Sequence, residues 1–203
     1  MTSFAIGVVA HIKRLAMADQ IANTVNADYI SVDDGTLGCE GNHQKMWNTL
    51  AQQHTDWAVV LEDDAIPCPD FRAQLAQALA VAPTPIVSLY LGRQRPYAYQ
   101  HRIEATINTP ACWILAPRLL HAVAVAIHTN QVPDMLNSLP PRTSIDRAIS
   151  TWAERHTVAY TNPSLVDHAD TESVAHPPGR RRPGRVAWRT GTRDTWTSDA
   201  VHL

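Results

Sequence analysis

Two uninterrupted apolar runs, Phe4–Ala10 (FAIGVVA) and Trp57–Leu61 (WAVVL), leave the chain few folds to choose from. A strand with no polar position has no face to offer to water, so each must be covered on both sides. That is the situation of a parallel sheet layered between helices. Helical stretches follow in the right places. Arg14–Asn26 comes after the first run and precedes a short strand at Tyr29–Val32, which ends in the turn signal Asp33-Asp34-Gly35. Asn42–His54 carries Met46, Leu50 and Ala51 at helical spacing, and Pro69–Ala82 places Phe71, Leu75, Ala78 and Leu79 on one face. Pro85–Leu91 reads as another strand. The Arg-, His- and aromatic-rich stretch Gln94–Thr109 reads as a long loop or hairpin. Ala111–Leu115 predicts a strand, with Pro117 where a helix would begin. Ser144 is placed to cap a helix whose core face is Ile145, Ala148, Ile149 and Trp152. Val158–Tyr160 is the last strand expected. Strands alternating with helices imply an α/β fold with a mixed, mostly parallel sheet flanked by helices.

The length of 203 residues allows one domain with a substantial core. The net charge of -2 conceals an asymmetry: residues 179–203 hold six Arg against two Asp, so a basic tail follows an acidic body. The expected division is a domain over 1–176 and a tail over 177–203, as a lid or disordered. Cys39, Cys68 and Cys112 are too scattered for a disulfide framework or a C-x-x-C zinc site, which points to a reduced, cytoplasmic setting. Lys13 and Arg14 follow the first apolar run instead of preceding it, unlike a signal peptide. Pro117, Arg118 and His121 interrupt the apolar segment Ala111–Ile127, which argues against a membrane span.

In sheets of this kind, ligands gather beyond the carboxyl ends of the strands. That rule collects His11–Arg14, Asp33–Gly35 and Glu62–Asp64 in one crevice. If the strand alternation continues, Glu62 and Asp64 face one way and Asp63 the other. Clustered carboxylates repel unless a cation or hydrogen bonds offset the charge, and hard oxygen donors suit Mg²⁺ or Mn²⁺. The plainer alternative is a solvated acidic turn or a helix cap.

The run WAVVLEDDAIPCPDF (Trp57–Phe71) resembles the central segment of glycosyltransferase family 25, which includes lipooligosaccharide and collagen galactosyltransferases. GCEGNHQKMW (Gly38–Trp47) resembles that family's Gly-Cys…His…Trp segment, SIDRAI (Ser144–Ile149) its Asp-containing helix start, and NPSLVDHADTES (Asn162–Ser173) its closing element. The resemblance implies a GT-A-like fold and a nucleotide-sugar donor, a UDP-sugar by analogy. It implies a metal ligand at Asp64, nucleotide or metal contact at Glu62, and His168 completing the Mn²⁺ or Mg²⁺ shell. Asp146 takes the position of a catalytic base that deprotonates the acceptor hydroxyl. The second half of this chain is compressed relative to the family, which bears on the acceptor.

Other candidates each have a bland reading beside the functional one. His11 and Arg14 either meet the donor's phosphates or form a solvated first helical turn. Asp33 and Asp34 either read base and ribose or make a simple turn; Asp63 belongs with the donor-binding acids. Asp146 in a first helical turn is stabilised by the helix dipole whatever its function. Trp188, Trp196 and the six tail arginines either fold over the donor or grip nucleic acid. The acceptor is accordingly either a glycan or a hydroxymethylated base in DNA, as modified by glycosyltransferases of bacterial viruses. The competing activities are a metal-dependent nucleotidyltransferase, for which no Gly-rich phosphate loop is found, and a non-catalytic nucleotide- or nucleic-acid-binding module.

Overall fold

The computed structural model of the chain describes residues 2–140, 143–169, 171, 174 and 184–203. The element order is β1 (Phe4–His11), α1 (Leu15–Val25), β2 (Tyr29–Asp33), α2 (Gly38–Ala51), β3 (Trp57–Glu62), β4 (Ala65–Pro67) and α3 (Phe71–Ala80). There follow β5 (Ile86–Ser88), α4 (Tyr97–Thr106), β6 (Trp113–Ala116), β7 (Ala124–His128), α5 (Val132–Ser138) and α6 (Ile145–Ala153). β8 (Val158–Thr161), β9 (Val166–His168) and β10 (Ala200–His202) complete the fold.

Among these residues, eight strands form one sheet in the order β10-β6-β8-β5-β7-β3-β1-β2. β1 pairs in parallel with both β2 and β3, β5 with β8, and β6 with β10; β7 runs antiparallel between β3 and β5, and β6 antiparallel to β8. The mixed, Rossmann-like α/β class expected from the apolar runs is the one observed. Alternation along the central strands divides the core in two. Ile6, Val8 and Ala10 of β1 and Trp57, Val59 and Leu61 of β3 pack toward α1 and α3, whereas Ala5, Val9, Ala58 and Val60 pack toward α2, α5 and α6. A separate two-stranded antiparallel ribbon, β4 with β9, sits at the carboxyl edge and pairs Ala65 with His168.

Three expectations are corrected. Gln94–Thr109 holds a helix, α4, because Ile103 and Ile107 are buried with Tyr99 packed beside them, at helical spacing. No helix starts at Pro117. The run AVAIH forms β7, and a central strand buried on both faces cannot be told from a buried helix by periodicity. Val158–Thr161 is also not the last strand. Part of the tail joins the sheet as β10, Trp196 is 6% exposed within the core, and Gly92 and Ser164 bridge to Ala187 and Thr190. Residues 184–203 are thus built into the domain; residues 177–183 lie outside the described residues, as do Asp170, Glu172 and Ser173 of the closing element. Among the described residues no helix is long and apolar enough to cross a membrane.

Candidate active site

The registers of β1 with β2 and β3 set His11 opposite Asp33 and Val9 opposite Glu62, so three strand tips open onto one place. There a cleft of about 550 Å³ is bounded by His11, Arg14, Asp33, Glu62, Asp63 and Asp64, with Arg185 on its far wall. Asp146 and His168 come from the other half of the chain.

The acids do not alternate as an extended strand would have them. β3 ends at Glu62 and residues 63–64 form a turn, so Glu62 keeps the face of Ala58 and Val60, toward α2. Asp63 and Asp64 both reach Arg14 instead. The Nη1 of Arg14 donates to Asp63 Oδ1 at 2.8 Å and to Asp64 Oδ2 at 2.6 Å, and the arginine is only 9% exposed. Asp63 Oδ2 also accepts the His11 amide at 2.9 Å. Desolvation raises the Asp63 pKa and outweighs the amide and the guanidinium, which pull it down. Desolvation lowers the Arg14 pKa, but the hydrogen bonds and charges of Asp63 and Asp64 outweigh it and the net shift is upward. The two directions are consistent: among the described residues one cation is shared by two buried carboxylates.

Asp64 and His168 are brought together by the β4–β9 ribbon. Ala65 and His168 are register partners, and Ala169 N–H donates to the Asp64 carbonyl at 2.8 Å. His168 Nε2 then stands 3.4 Å from Asp64 Oδ2, while Asp64 Oδ1 and His168 Nδ1 are buried with no hydrogen-bond partner among the described residues. An orphaned carboxylate oxygen beside a buried imidazole is a donor set that a divalent ion fits.

The other expected residues are placed as follows. Asp33 faces the cleft but uses both oxygens to cap α2, accepting Leu37 N–H at 2.9 Å and Gly38 N–H at 3.1 Å. Asp34 is exposed on the turn beyond it, outside the cleft lining, with its pKa lowered by hydrogen bonds from Thr36. His11 Nδ1 accepts the Lys13 amide at 3.1 Å. Asp146 is exposed in the first turn of α6, close enough for its charge to act on Cys39 and His121. The Ser144 side chain makes no capping bond there. Arg185 stands in the sequence only as one of the six tail arginines: its Nε is buried at the cleft wall with no partner among the described residues. The sequence offers His43 only as a residue that could touch phosphate, and Cys39 only as a scattered cysteine in the Gly38–Trp47 segment; α2 sets the two beside Glu62, at an i, i+4 spacing that lacks the C-x-x-C form. Although Cys39 is exposed as a residue, desolvation of its thiol beside the cleft, then the charges of Glu62, Glu40, Asp146 and Asp63, push that thiol up to about 12.

Residues 12–112 match the model of glycosyltransferase family 25, described as an LPS biosynthesis protein. The chain is glycosyltransferase family 25-like. It is therefore a glycosyltransferase, and the matched span contains Arg14, Asp33 and the Glu62–Asp64 cluster, while Asp146 and His168 lie beyond it. No curated protein matches this glycosyltransferase. Among solved structures it is similar to the crystal structure of A197 from STIV, at 10% identity and a TM-score of 0.49, over 92% of this chain and 94% of that one.

Proposed function

We propose that this glycosyltransferase moves a sugar from a nucleotide-sugar donor, a UDP-sugar, to a hydroxyl of a glycan, with Mn²⁺ or Mg²⁺ held by Asp64 and His168. The supporting observation is the meeting of Asp64 and His168 at 3.4 Å, with Asp64 Oδ1 left without a partner among the described residues, at the edge of a cleft of about 550 Å³ that Asp64 lines and His168 does not. An ion held there would act as a Lewis acid on the departing diphosphate. The protein's own cations share that work. Arg185 presents to the cleft an Nε that is buried with no partner among the described residues, a position suited to a phosphate oxygen, and Arg14 holds the Asp63 and Asp64 carboxylates in place by hydrogen bonds. Asp34, on the turn after β2 and outside the cleft lining, is assigned a ribose hydroxyl of the part of the donor that extends past the cleft. Asp146, exposed at the start of α6, takes the proton of the acceptor hydroxyl as it attacks.

A glycan is favoured over hydroxymethylated DNA by the described part of the tail, residues 184–203. Arg193 donates to the carbonyls of Pro110 and Asn162, Arg189 Nη1 to that of Ile107, and the Trp196 indole is buried against Gln74. Among the described residues these groups are engaged inside the fold and not free to grip phosphates or stack on bases; Arg180, Arg181 and Arg182 lie outside the described residues. The three cysteines are all free thiols, in keeping with a cytoplasmic setting.

A panel of nucleotide sugars, each incubated with Mn²⁺, Mg²⁺ or EDTA, tests the proposal. The expected result is ion-dependent hydrolysis of a UDP-sugar that disappears in Asp64→Ala. Turnover that survives EDTA or the substitution would overturn it, as would nucleic-acid binding without any sugar turnover.

A further inference from the structure

A second constellation, built on α2 and the end of β3, lines the same cleft. Cys39 and His43 are four residues apart on α2 and so share one of its faces, and Glu62 at the end of β3 points at that face. One ligand atom from each residue, the thiol sulfur, a ring nitrogen and a carboxylate oxygen, lies within 4.8 Å of the other two. The histidine supplies the independent observation. His43 is 2% exposed, lines the cleft, and neither ring nitrogen has a hydrogen-bond partner among the described residues; Glu62 Oε1 is 3.5 Å from Nε2. Buried ring nitrogens are almost always satisfied by protein, water or metal, so an imidazole left open at both positions calls for a ligand.

We propose that Cys39, His43 and Glu62 form a binding site for a zinc-class divalent cation. The site stands on these three side chains alone and does not rest on the ion assigned to Asp64 and His168. A sulfur, nitrogen and oxygen donor set favours Zn²⁺ over Mg²⁺, which prefers oxygen alone. Ligand atoms at about 2.0–2.3 Å from zinc stand about 3.5 Å from each other in a tetrahedron, so closure from the observed separations is a side-chain adjustment. Cys39 is exposed and the Glu62 side chain 27% exposed, which provides an entry path. Three protein ligands leave one position for water or a substrate oxygen, the arrangement of zinc sites that take part in chemistry.

Co²⁺ titrated into the EDTA-treated full chain reports the ligands directly, because a thiolate ligand gives a charge-transfer band in the near ultraviolet. Wild type is expected to take up Co²⁺ with that band, and an equimolar amount of Zn²⁺ should abolish it. Cys39→Ser, at an exposed position, should fold normally by circular dichroism and lose the band. Glu62→Gln should keep the band but weaken the affinity by more than about 10-fold, the lower end of the loss expected even for an outer-shell partner. Asp64→Asn should leave band and affinity as in wild type even while donor turnover is lost, so failure here is distinguishable from failure of the donor-ion assignment. The proposal is overturned if wild type binds Co²⁺ without a thiolate band, if the band survives Cys39→Ser, or if Asp64→Asn removes it.

Discussion

Asp63 and Asp64 share a single buried guanidinium, and the balance among these three charges decides the character of the site. Breaking a buried ion pair from one side leaves uncompensated charge, so Arg14→Ala is expected to lower the unfolding free energy by about 3–5 kcal/mol at neutral pH, measured by urea denaturation. The pH dependence of that deficit has a definite sign. The folded-state pKa of Asp63 is already raised, chiefly by desolvation, so its contribution to stability is fully present below its unfolded pKa and is lost as pH rises through the folded one. Removing Arg14 raises that folded pKa further, so the gap between variant and wild type should narrow as pH falls through the carboxylate range. A gap independent of pH would contradict this account. At this scale the sequence was informative about residue identity and poor about direction. The Leu-Glu-Asp-Asp run marked the site, yet the alternation expected of Glu62 and Asp64 fails because the strand stops at Glu62. The nearness of His168 to Asp64 could not be read from spacing at all; it depends on pairing two three-residue strands far apart in the chain.

Elements fix these side chains by close approach. Gly7 on β1 lies against Met46 of α2, and a Cβ built at Gly7 would stand 2.2 Å from the Met46 sulfur, well inside contact distance. The glycine therefore sets how closely α2, which carries Asn42 and His43, can lie on the sheet. Gly7→Ala is expected to cost about 1–3 kcal/mol by overpacking, and shortening the partner with Met46→Ala in the same chain should recover part of the loss. Non-additive free energies in a double-mutant cycle are the readout; strict additivity would show that the two positions are not in contact. The buried strands β1 and β3 and the helix α6 were legible because their patterns are one-sided or wholly apolar. α4 was not, since Arg, His and aromatic residues surround its few core positions, and β7 was not, since a short apolar run fits either structure.

For the molecule as a whole, the basic tail is the largest departure from the sequence reading. Composition suggested a loose segment, but Trp196 enters the core, its indole donates to Gln74 Oε1, and Gln74 Nε2 donates back to the Arg193 carbonyl. Trp196→Ala should accordingly destabilise the whole domain by about 3–5 kcal/mol in thermal or urea unfolding, as loss of a core tryptophan does, with no separate early transition. An unchanged midpoint would mean that the tail is an accessory after all. The same segment carries Arg185 to the cleft, so the fold's last strand and part of the cleft lining belong to one stretch of chain. The most direct test of that site is calorimetric titration of UDP into wild type and Asp64→Asn, with Mn²⁺ and with EDTA. The account predicts binding heat for wild type with Mn²⁺ and its loss in EDTA or in the variant, whereas equal UDP binding in all four titrations would contradict it.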